Sequence, residues 1–246
     1  MARPVVATEL VPEVPWSEWW ETFQRRYVAT RDQAQHVTIL GPTGTGKSTL
    51  AMKVAELRPY MAVLAAKPRD KHMKQMLRHG GFRKMDVLPE AGAGVRRCYI
   101  WPPNRGPFDH DRMRAQFAGA FEHAYRVGVW HILVDEAHFM AHRLHLTEHI
   151  RDAYQMGRSN GHGIILAAQR PAWLPRDIYS SADHLFLYGT NDSADLKTIS
   201  GLNGVSDRLV RDTVAGLDRD SRRFLHVDTK SGTLAITRMP ELRRKP

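Results

Sequence analysis

The sequence predicts an α/β fold with a mostly parallel sheet, helices on both faces and a C-terminal β-hairpin. Short apolar segments alternate with helical segments across 36–188, and this alternation is typical of a parallel sheet covered on both sides. Two later segments, 223–228 and 234–238, predict strands joined by a turn at 230–232. With 246 residues, 42% of them hydrophobic, the chain can bury one large core.

Each predicted strand is a short apolar run, and each predicted helix carries apolar residues at a spacing of three and four. The predicted strands before the hairpin are 36–40, 60–66, 99–101, 130–134, 163–168 and 184–188. The predicted helices that follow or connect them are 47–57, 71–79, 112–127, 148–156, 194–199 and 207–214. These elements predict one domain rather than two.

The chain divides into an N-terminal extension, 1–33, and one α/β domain, 34–246, which includes the hairpin and a short basic tail at 243–245. A helix is predicted over 16–27, because five aromatic residues fall on one face at helical spacing. These residues are Trp16, Trp19, Trp20, Phe23 and Tyr27. We favour packing of this stripe on the domain's own core over docking on a neighbouring subunit.

Charge and cysteine usage limit the class of protein. Lys and Arg number 36 against 26 Asp and Glu, which gives a formal charge of +10 and a pI near 10.0. This balance suits either a polyanion-binding protein or a basic solvated surface. Cys98 is the only cysteine, so a disulfide framework is excluded. Because no apolar run approaches the roughly 20 residues that span a bilayer, we expect a cytoplasmic protein with no direct membrane insertion.

A phosphate-binding loop (P-loop) lies between the first predicted strand and the following helix. Its residues are Gly41, Pro42, Thr43, Gly44, Thr45, Gly46, Lys47, Ser48 and Thr49. Glycines let backbone amides turn toward phosphates, and the helix N-terminus attracts anions. Lys47 is expected to reach the β- and γ-phosphates of ATP, and Ser48 to supply its hydroxyl to Mg²⁺.

Two acids end the strand at 130–134. In a P-loop protein Asp135 would support the magnesium ion, and Glu136 would polarise the attacking water. The alternative, acids that favour the start of the next helix, explains either residue alone better than the pair. The pair also favours hydrolysis over phosphoryl transfer.

Gln169 follows another buried strand, where it either senses the γ-phosphate and orients water or is an ordinary polar residue.

A family resemblance joins these motifs. Its segments are GPTGTGKST at 41–49, ILVDEAH at 132–138, GRSNGHG at 157–163, IILAAQRPAWLP at 164–175 and ADHLFL at 182–187. Together they resemble the FtsK/HerA superfamily of ring-forming, DNA-pumping ATPases over nearly all of the chain. The resemblance implies a RecA-like core, Gln169 as the sensor and Arg158 as a finger into the neighbouring subunit's ATP. Arg151 and Arg170 are the other candidates for the finger, and a helix C-terminal cation is the alternative role for Arg158.

The resemblance implies an ATP-driven double-stranded DNA translocase, similar to compact viral genome-packaging ATPases. We expect a homo-oligomeric ring, a hexamer, with a portal or capsid vertex as a further partner and the host cytoplasm or virion as its location if the protein is viral. An ATPase of the same superfamily for virion assembly, extrusion or conjugation is one alternative, and an ATP-gated binding switch is another. Basic residues either follow DNA phosphates or face solvent. These are Lys67, Arg69, Lys71, Lys74, Arg78, Arg83, Lys84, Arg96 and Arg97.

Overall fold

The computed structural model describes residues 10–29, 34–199 and 206–241. The strands of these residues form one sheet in the order β3-β4-β2-β5-β6-β1-β7-β8-β9. The strands are β1 (Val37–Leu40), β2 (Met61–Leu64), β3 (Arg83–Lys84), β4 (Arg97–Ile100), β5 (His131–Val134), β6 (Ile164–Ala168), β7 (His184–Tyr188), β8 (Arg223–Asp228) and β9 (Thr233–Arg238). All pairings among β1 to β7 are parallel, and the final β8–β9 hairpin is antiparallel. The predicted fold class is therefore confirmed.

Helices cover both faces of this sheet. They are α1 (Trp16–Ala29), α2 (Lys47–Ala55), α3 (Lys71–His79), α4 (His110–Val127), α5 (Thr147–Met156), α6 (Arg176–Ser180), α7 (Ser193–Ile199) and α8 (Asp207–Gly216). Side chains alternate along the strands, so Met61 and Val63 face the core under α1 to α3, while Ala62 and Leu64 face the core under α4 to α8. No helix in the described ranges is long and apolar enough to cross a membrane.

The aromatic stripe of α1 packs on the protein's own sheet, as predicted. Trp19, Phe23 and Tyr27 are 4%, 2% and 0% exposed. The Trp19 indole Nε1 donates a hydrogen bond of 3.0 Å to Nδ1 of His226 on β8, and Phe23 meets the Phe186 ring edge-on at 5.5 Å. The hairpin thus supplies the surface on which α1 folds. The division of the chain at 33/34 stays a prediction, and the basic run at 243–245 lies outside the described residues.

Several local elements differ from the sequence prediction, among them the short helix α6, which was not predicted. Strand β4 begins at Arg97, two residues before the predicted strand at 99–101, because Cys98 is buried in the sheet. The two-residue β3 has no apolar alternation to predict it, since Arg83 and Lys84 are both exposed. After β5 the chain forms a single π-helical turn, Phe139–Arg143, of the kind that often occurs at functional sites.

Five histidines are buried and have lowered pKa values. They are His36, His131, His162, His184 and His226. Burial is the main cause in each, because it disfavours the charged imidazolium. It lowers the pKa of His184 to about 4 and that of His131 to about 3. Nδ1 of His36 also accepts a 3.3 Å hydrogen bond from the Ile164 amide, which requires the neutral ring.

We predict that the protein loses stability as pH falls from 7.5 to 5.5. The unfolded chain binds protons at these histidines below about pH 6.5, whereas the folded chain does not. Stability is therefore lost below the unfolded pKa, by about 1.4 kcal/mol per pH unit for each histidine that stays neutral in the fold. Thermal or urea unfolding across this pH range measures the effect.

His184→Gln should reduce this pH dependence by about one histidine's contribution. His79→Gln, which changes an exposed histidine on α3, should leave the pH dependence unchanged and serves as the matched control. An unfolding midpoint that is the same at pH 7.5 and pH 5.5 would contradict the prediction.

Candidate functional site

The P-loop turns between β1 and α2, where packing restricts Gly41 and backbone conformation restricts Gly46. A Cβ at Gly41 would lie 2.5 Å from Cβ of Tyr188 on β7, and a Cβ at Gly46 would lie 2.5 Å from Cε of Met239. Gly46 also has a φ of 102°, a conformation that favours glycine. The loop is thus held from behind by β7 and by the residue that follows the hairpin.

The Lys47 side chain is hydrogen-bonded to the backbone of its own loop. Its Nζ donates a 2.7 Å hydrogen bond to the Pro42 carbonyl, which also accepts a 3.0 Å bond from the Thr45 hydroxyl. Burial lowers the pKa of Lys47 to about 8, against the opposing effect of Glu136. A Cβ at Gly44 would meet no atom within 4 Å, so the space above the loop is open. A buried ammonium beside an open loop of backbone amides suits a polyphosphate.

Ser48 and Asp135 form the oxygen pair that was predicted for magnesium. The Ser48 hydroxyl donates to Oδ1 of Asp135 at 3.1 Å. Asp135 is 3% exposed, and burial raises its pKa despite the nearby Lys67 ammonium. A carboxylate and a hydroxyl at the N-terminus of α2 are ligands that Mg²⁺ accepts, so the residues present fit the ion.

Glu136 follows β5, and Gln169 at the end of the neighbouring β6 connects it to the P-loop. The amide nitrogen Nε2 of Gln169 donates to both of its carboxylate oxygens, at 3.2 and 3.1 Å. The Gln169 carbonyl oxygen accepts a 3.0 Å hydrogen bond from the Thr43 hydroxyl. Glu136 has a φ of 66°, an uncommon conformation for a residue other than glycine, and such strain often occurs at functional sites. The structure therefore brings together Thr43, Glu136 and Gln169, three residues of the predicted site.

Lys67 is a residue of this site that the sequence interpretation missed, because it was grouped with the basic segment that follows β2. Its ammonium forms an ion pair with Oε1 of Glu136. Burial lowers the pKa of Lys67, but the bond to Glu136 and the nearby Asp135 carboxylate outweigh burial and raise it overall. Only the sheet order reveals this contact, since β2 is the neighbour of β5.

The three candidate finger arginines all lie in ion pairs of their own chain. Arg158 pairs with the buried Asp183 at 3.0 Å and donates to the Ser181 carbonyl at 2.6 Å. Asp183 also accepts from the His36 amide, which precedes β1, so Arg158 lies at the amino edge of the sheet, opposite the P-loop. The remaining pairs are Arg151 with Glu148 and Asp177, and Arg170 with Asp192 and Asp195. The predicted role of Arg158 thus concerns a neighbouring subunit's site and stays a prediction.

A comparison with protein-family models identifies the family to which the chain belongs. A family model described as an AAA domain matches residues 30–174, more than half of the chain and all of its P-loop, paired acids and Gln169. The chain belongs to this AAA domain family. As a member with a complete P-loop and paired acids, it is a P-loop ATPase. No curated protein sequence matches this ATPase.

Solved structures share the fold of this ATPase. The DNA-packaging ATPase B204 of Sulfolobus turreted icosahedral virus is 22% identical with a TM-score of 0.62, over 86% of this chain and 98% of that chain. The genome-packaging NTPase B204 of Sulfolobus turreted icosahedral virus 2, in complex with AMPPCP, is 21% identical with a TM-score of 0.61, over 86% of this chain and 100% of that chain. VirB4 of Thermoanaerobacter pseudethanolicus is 12% identical with a TM-score of 0.63, over 85% and 90%. The resemblance to compact packaging ATPases is therefore confirmed at the level of the fold.

We predict that Lys67→Met raises the basal rate of ATP hydrolysis severalfold. The Lys67 ammonium competes for the Glu136 oxygen Oε1 with an attacking water. Its removal leaves Gln169 as the remaining side-chain partner of the carboxylate and opens a position at which Oε1 can accept from that water. Steady-state phosphate release at saturating ATP measures the change. Lys197→Met removes an exposed lysine on α7 and is the matched control. A fall in rate as large as that of Lys47→Ala would show instead that Lys67 serves the phosphates directly.

Proposed function

We propose that this ATPase is a motor that moves double-stranded DNA, as a homo-oligomeric ring that packages a viral or mobile-element genome. The observation that carries the proposal is the likeness to a DNA-packaging ATPase over 86% of this chain and 98% of that one. Both proteins are therefore compact versions of the same fold. The formal charge of +10 suits a polyanionic partner.

The chemistry proposed for the site follows from the contacts of its residues. Lys47 holds the β- and γ-phosphates once it exchanges the Pro42 carbonyl for them. Ser48 and Asp135 would hold magnesium, which would supply neutralisation of the phosphate charge when bound. Glu136 accepts a proton from the attacking water, and Gln169 holds both the Glu136 carboxylate and the P-loop side chain Thr43. We propose that Gln169, through these contacts, reports the state of the γ-phosphate to the general base Glu136.

A second candidate function is an ATPase for virion assembly, extrusion or conjugation, with a portal or membrane complex as its partner. The observation that favours it is the fold shared with VirB4, at a TM-score of 0.63. The two candidates differ in what stimulates hydrolysis. Free double-stranded DNA activates a packaging motor, whereas an assembly ATPase depends on a protein partner.

The proposal predicts that long double-stranded DNA stimulates ATP hydrolysis severalfold. The stimulation should rise cooperatively with protein concentration, because a ring must assemble, and fall with salt, because phosphate contacts release counterions. Glu136→Gln should reduce the stimulated rate by about 10²-fold or more, since it removes the general base. Phosphate release with and without DNA, at two salt concentrations, measures each of these effects.

Glu18→Gln, which changes an exposed acid on α1, controls for the loss of one negative charge and should keep the full rate. Robust hydrolysis that is indifferent to DNA would exclude DNA as the track and place the assembly function first. Hydrolysis that survives Glu136→Gln would remove the catalytic assignment.

The ring also predicts that subunits with different defects restore each other. Arg158→Ala subunits keep their own P-loop, and Lys47→Ala subunits keep Arg158. If Arg158 acts as a finger in the neighbouring site, an equimolar mixture should hydrolyse ATP several times faster than either variant alone. Co-purification on a tag carried by one variant confirms that mixed rings form.

Arg158→Ala also removes a partner from the buried Asp183, so its thermal unfolding must be measured beside that of Arg158→Lys. Mixed rings with no more activity than the separate variants would leave Arg158 with a structural role only.

A further inference from the structure

The positive charge of the chain is concentrated in one stretch. Residues 67–97 contain nine Lys and Arg against three Asp and Glu, which accounts for six of the ten net charges. The structure divides this stretch in two. The Lys67 side chain pairs with Glu136 in the ATP site. The remaining basic residues lie before and on α3 and on or next to the outer strands β3 and β4.

At the outer end of the sheet three arginines surround a shallow pocket of about 470 Å³. It lies at the amino ends of β3 and β4, the edge of the sheet opposite the P-loop. The pocket is lined by Pro59, Gly81, Arg83, Gly94, Val95, Arg96 and Arg97. We call it the arginine pocket.

Two of these arginines are available to a ligand, and the third builds the wall. Arg97 donates to the Gly80 carbonyl at 3.1 Å and to the Glu56 carbonyl at 2.9 Å. Arg83 and Arg96 are exposed and form no ion pair with a carboxylate of the described residues. The exposed Arg126, by contrast, is paired with Glu90. Unpaired guanidinium groups around one pocket suit a phosphate, which they can bind bidentately.

A basic helix face leads away from this pocket. Lys71, Lys74 and Arg78 are exposed and lie at positions i, i+3 and i+7 of α3, on one side of the helix. The helix ends at Gly80, whose carbonyl binds Arg97 of the pocket wall. The pocket and the helix face therefore form one continuous basic surface, as an extended phosphate backbone requires.

The other end of α3 contacts the ATP site. The N-cap residue Asp70 lies three residues after Lys67, and its side chain accepts a 2.8 Å hydrogen bond from the Met73 amide. His72 is hydrogen-bonded to Thr49 of the P-loop helix at 3.2 Å. A ligand on the basic surface thus touches the helix that begins beside Lys67 and Thr49.

We propose that the arginine pocket and the basic face of α3 bind the phosphodiester backbone of double-stranded DNA, and that α3 transmits this contact to Lys67 and the P-loop. This rests on the proposed function for the identity of the polymer. Binding here is independent of base sequence, because guanidinium and ammonium groups on an open surface contact phosphates rather than base edges.

The test compares the double variant Arg83→Gln, Arg96→Gln with the wild-type chain. Fluorescence anisotropy with a labelled 30-base-pair duplex is measured from 50 to 300 mM KCl. We expect affinity to fall at least tenfold and the slope of log K against log salt to decrease by about two, since each lost phosphate contact contributes about 0.9. DNA-stimulated hydrolysis should fall in parallel, while hydrolysis without DNA is unchanged.

Arg112→Gln, Arg114→Gln is the matched control, because it removes two exposed arginines from α4 and changes the net charge equally. Thermal unfolding confirms that both double variants fold. The duplex is also competed with unlabelled duplex and with poly-glutamate of equal charge.

Each outcome distinguishes the two proposals. If the wild-type chain binds the duplex and the Arg83, Arg96 variant binds it with the same affinity and the same salt slope, the arginine-pocket proposal is overturned. The proposed DNA motor is then unaffected. Displacement by poly-glutamate as efficient as by duplex overturns phosphate recognition in favour of an acidic protein partner. Absence of DNA binding and stimulation in the wild-type chain removes the proposed function together with this inference.

Discussion

Parallel pairing of β2, β5, β6 and β1 is the constraint on which the site depends. Side chains that follow these strands are up to 126 residues apart in the chain, yet the shared register places the carboxyl ends of the strands at one edge. Ser48 therefore reaches Asp135, and Thr43 reaches Gln169. A slip of one residue would turn the inward side chains of a strand to its other face. The two cores, one on each face of the sheet, oppose such a slip because every residue of these strands is buried.

The polar groups at this edge satisfy one another within the chain. Lys47 is bonded to the Pro42 carbonyl, Ser48 to Asp135, and Glu136 to both Lys67 and Gln169. Burial makes the bonds of Lys47 and Asp135 necessary, because an unpartnered charge at such depth is costly. In the proposed mechanism, a phosphate that binds Lys47 replaces the Pro42 carbonyl, so this phosphate contact competes with a contact inside the protein.

Much of the fold could be predicted because the pattern of the strands is local. Apolar runs located β1, β5, β6, β7 and the hairpin, and the P-loop and paired acids carry their own spacing. The order of strands is not local, so the contact between Glu136 and Lys67 could not be predicted. Lys67 was instead grouped with the basic residues that follow it in the sequence, although its side chain binds Glu136. The exposed strand β3 has no periodicity to detect. The pairing of Arg158 with Asp183 was likewise hidden, because it joins the start of β6 to the start of β7 across the sheet edge.

The sheet thus has two chemically different edges, and α3 runs from one toward the other. At the carboxyl edge acids and ammonium groups are paired closely. At the amino edge Arg83 and Arg96 are exposed. Both ends of this nine-residue helix are hydrogen-bonded to other elements, through His72 to Thr49 and through Gly80 to Arg97. Under the proposal, a displacement of its basic face therefore acts on the contacts near Lys67 or on these two hydrogen bonds. In the proposed mechanism, this one short helix connects DNA bound at the amino edge with the site at the carboxyl edge where water attacks the γ-phosphate, and so gives the DNA a direct route to control hydrolysis.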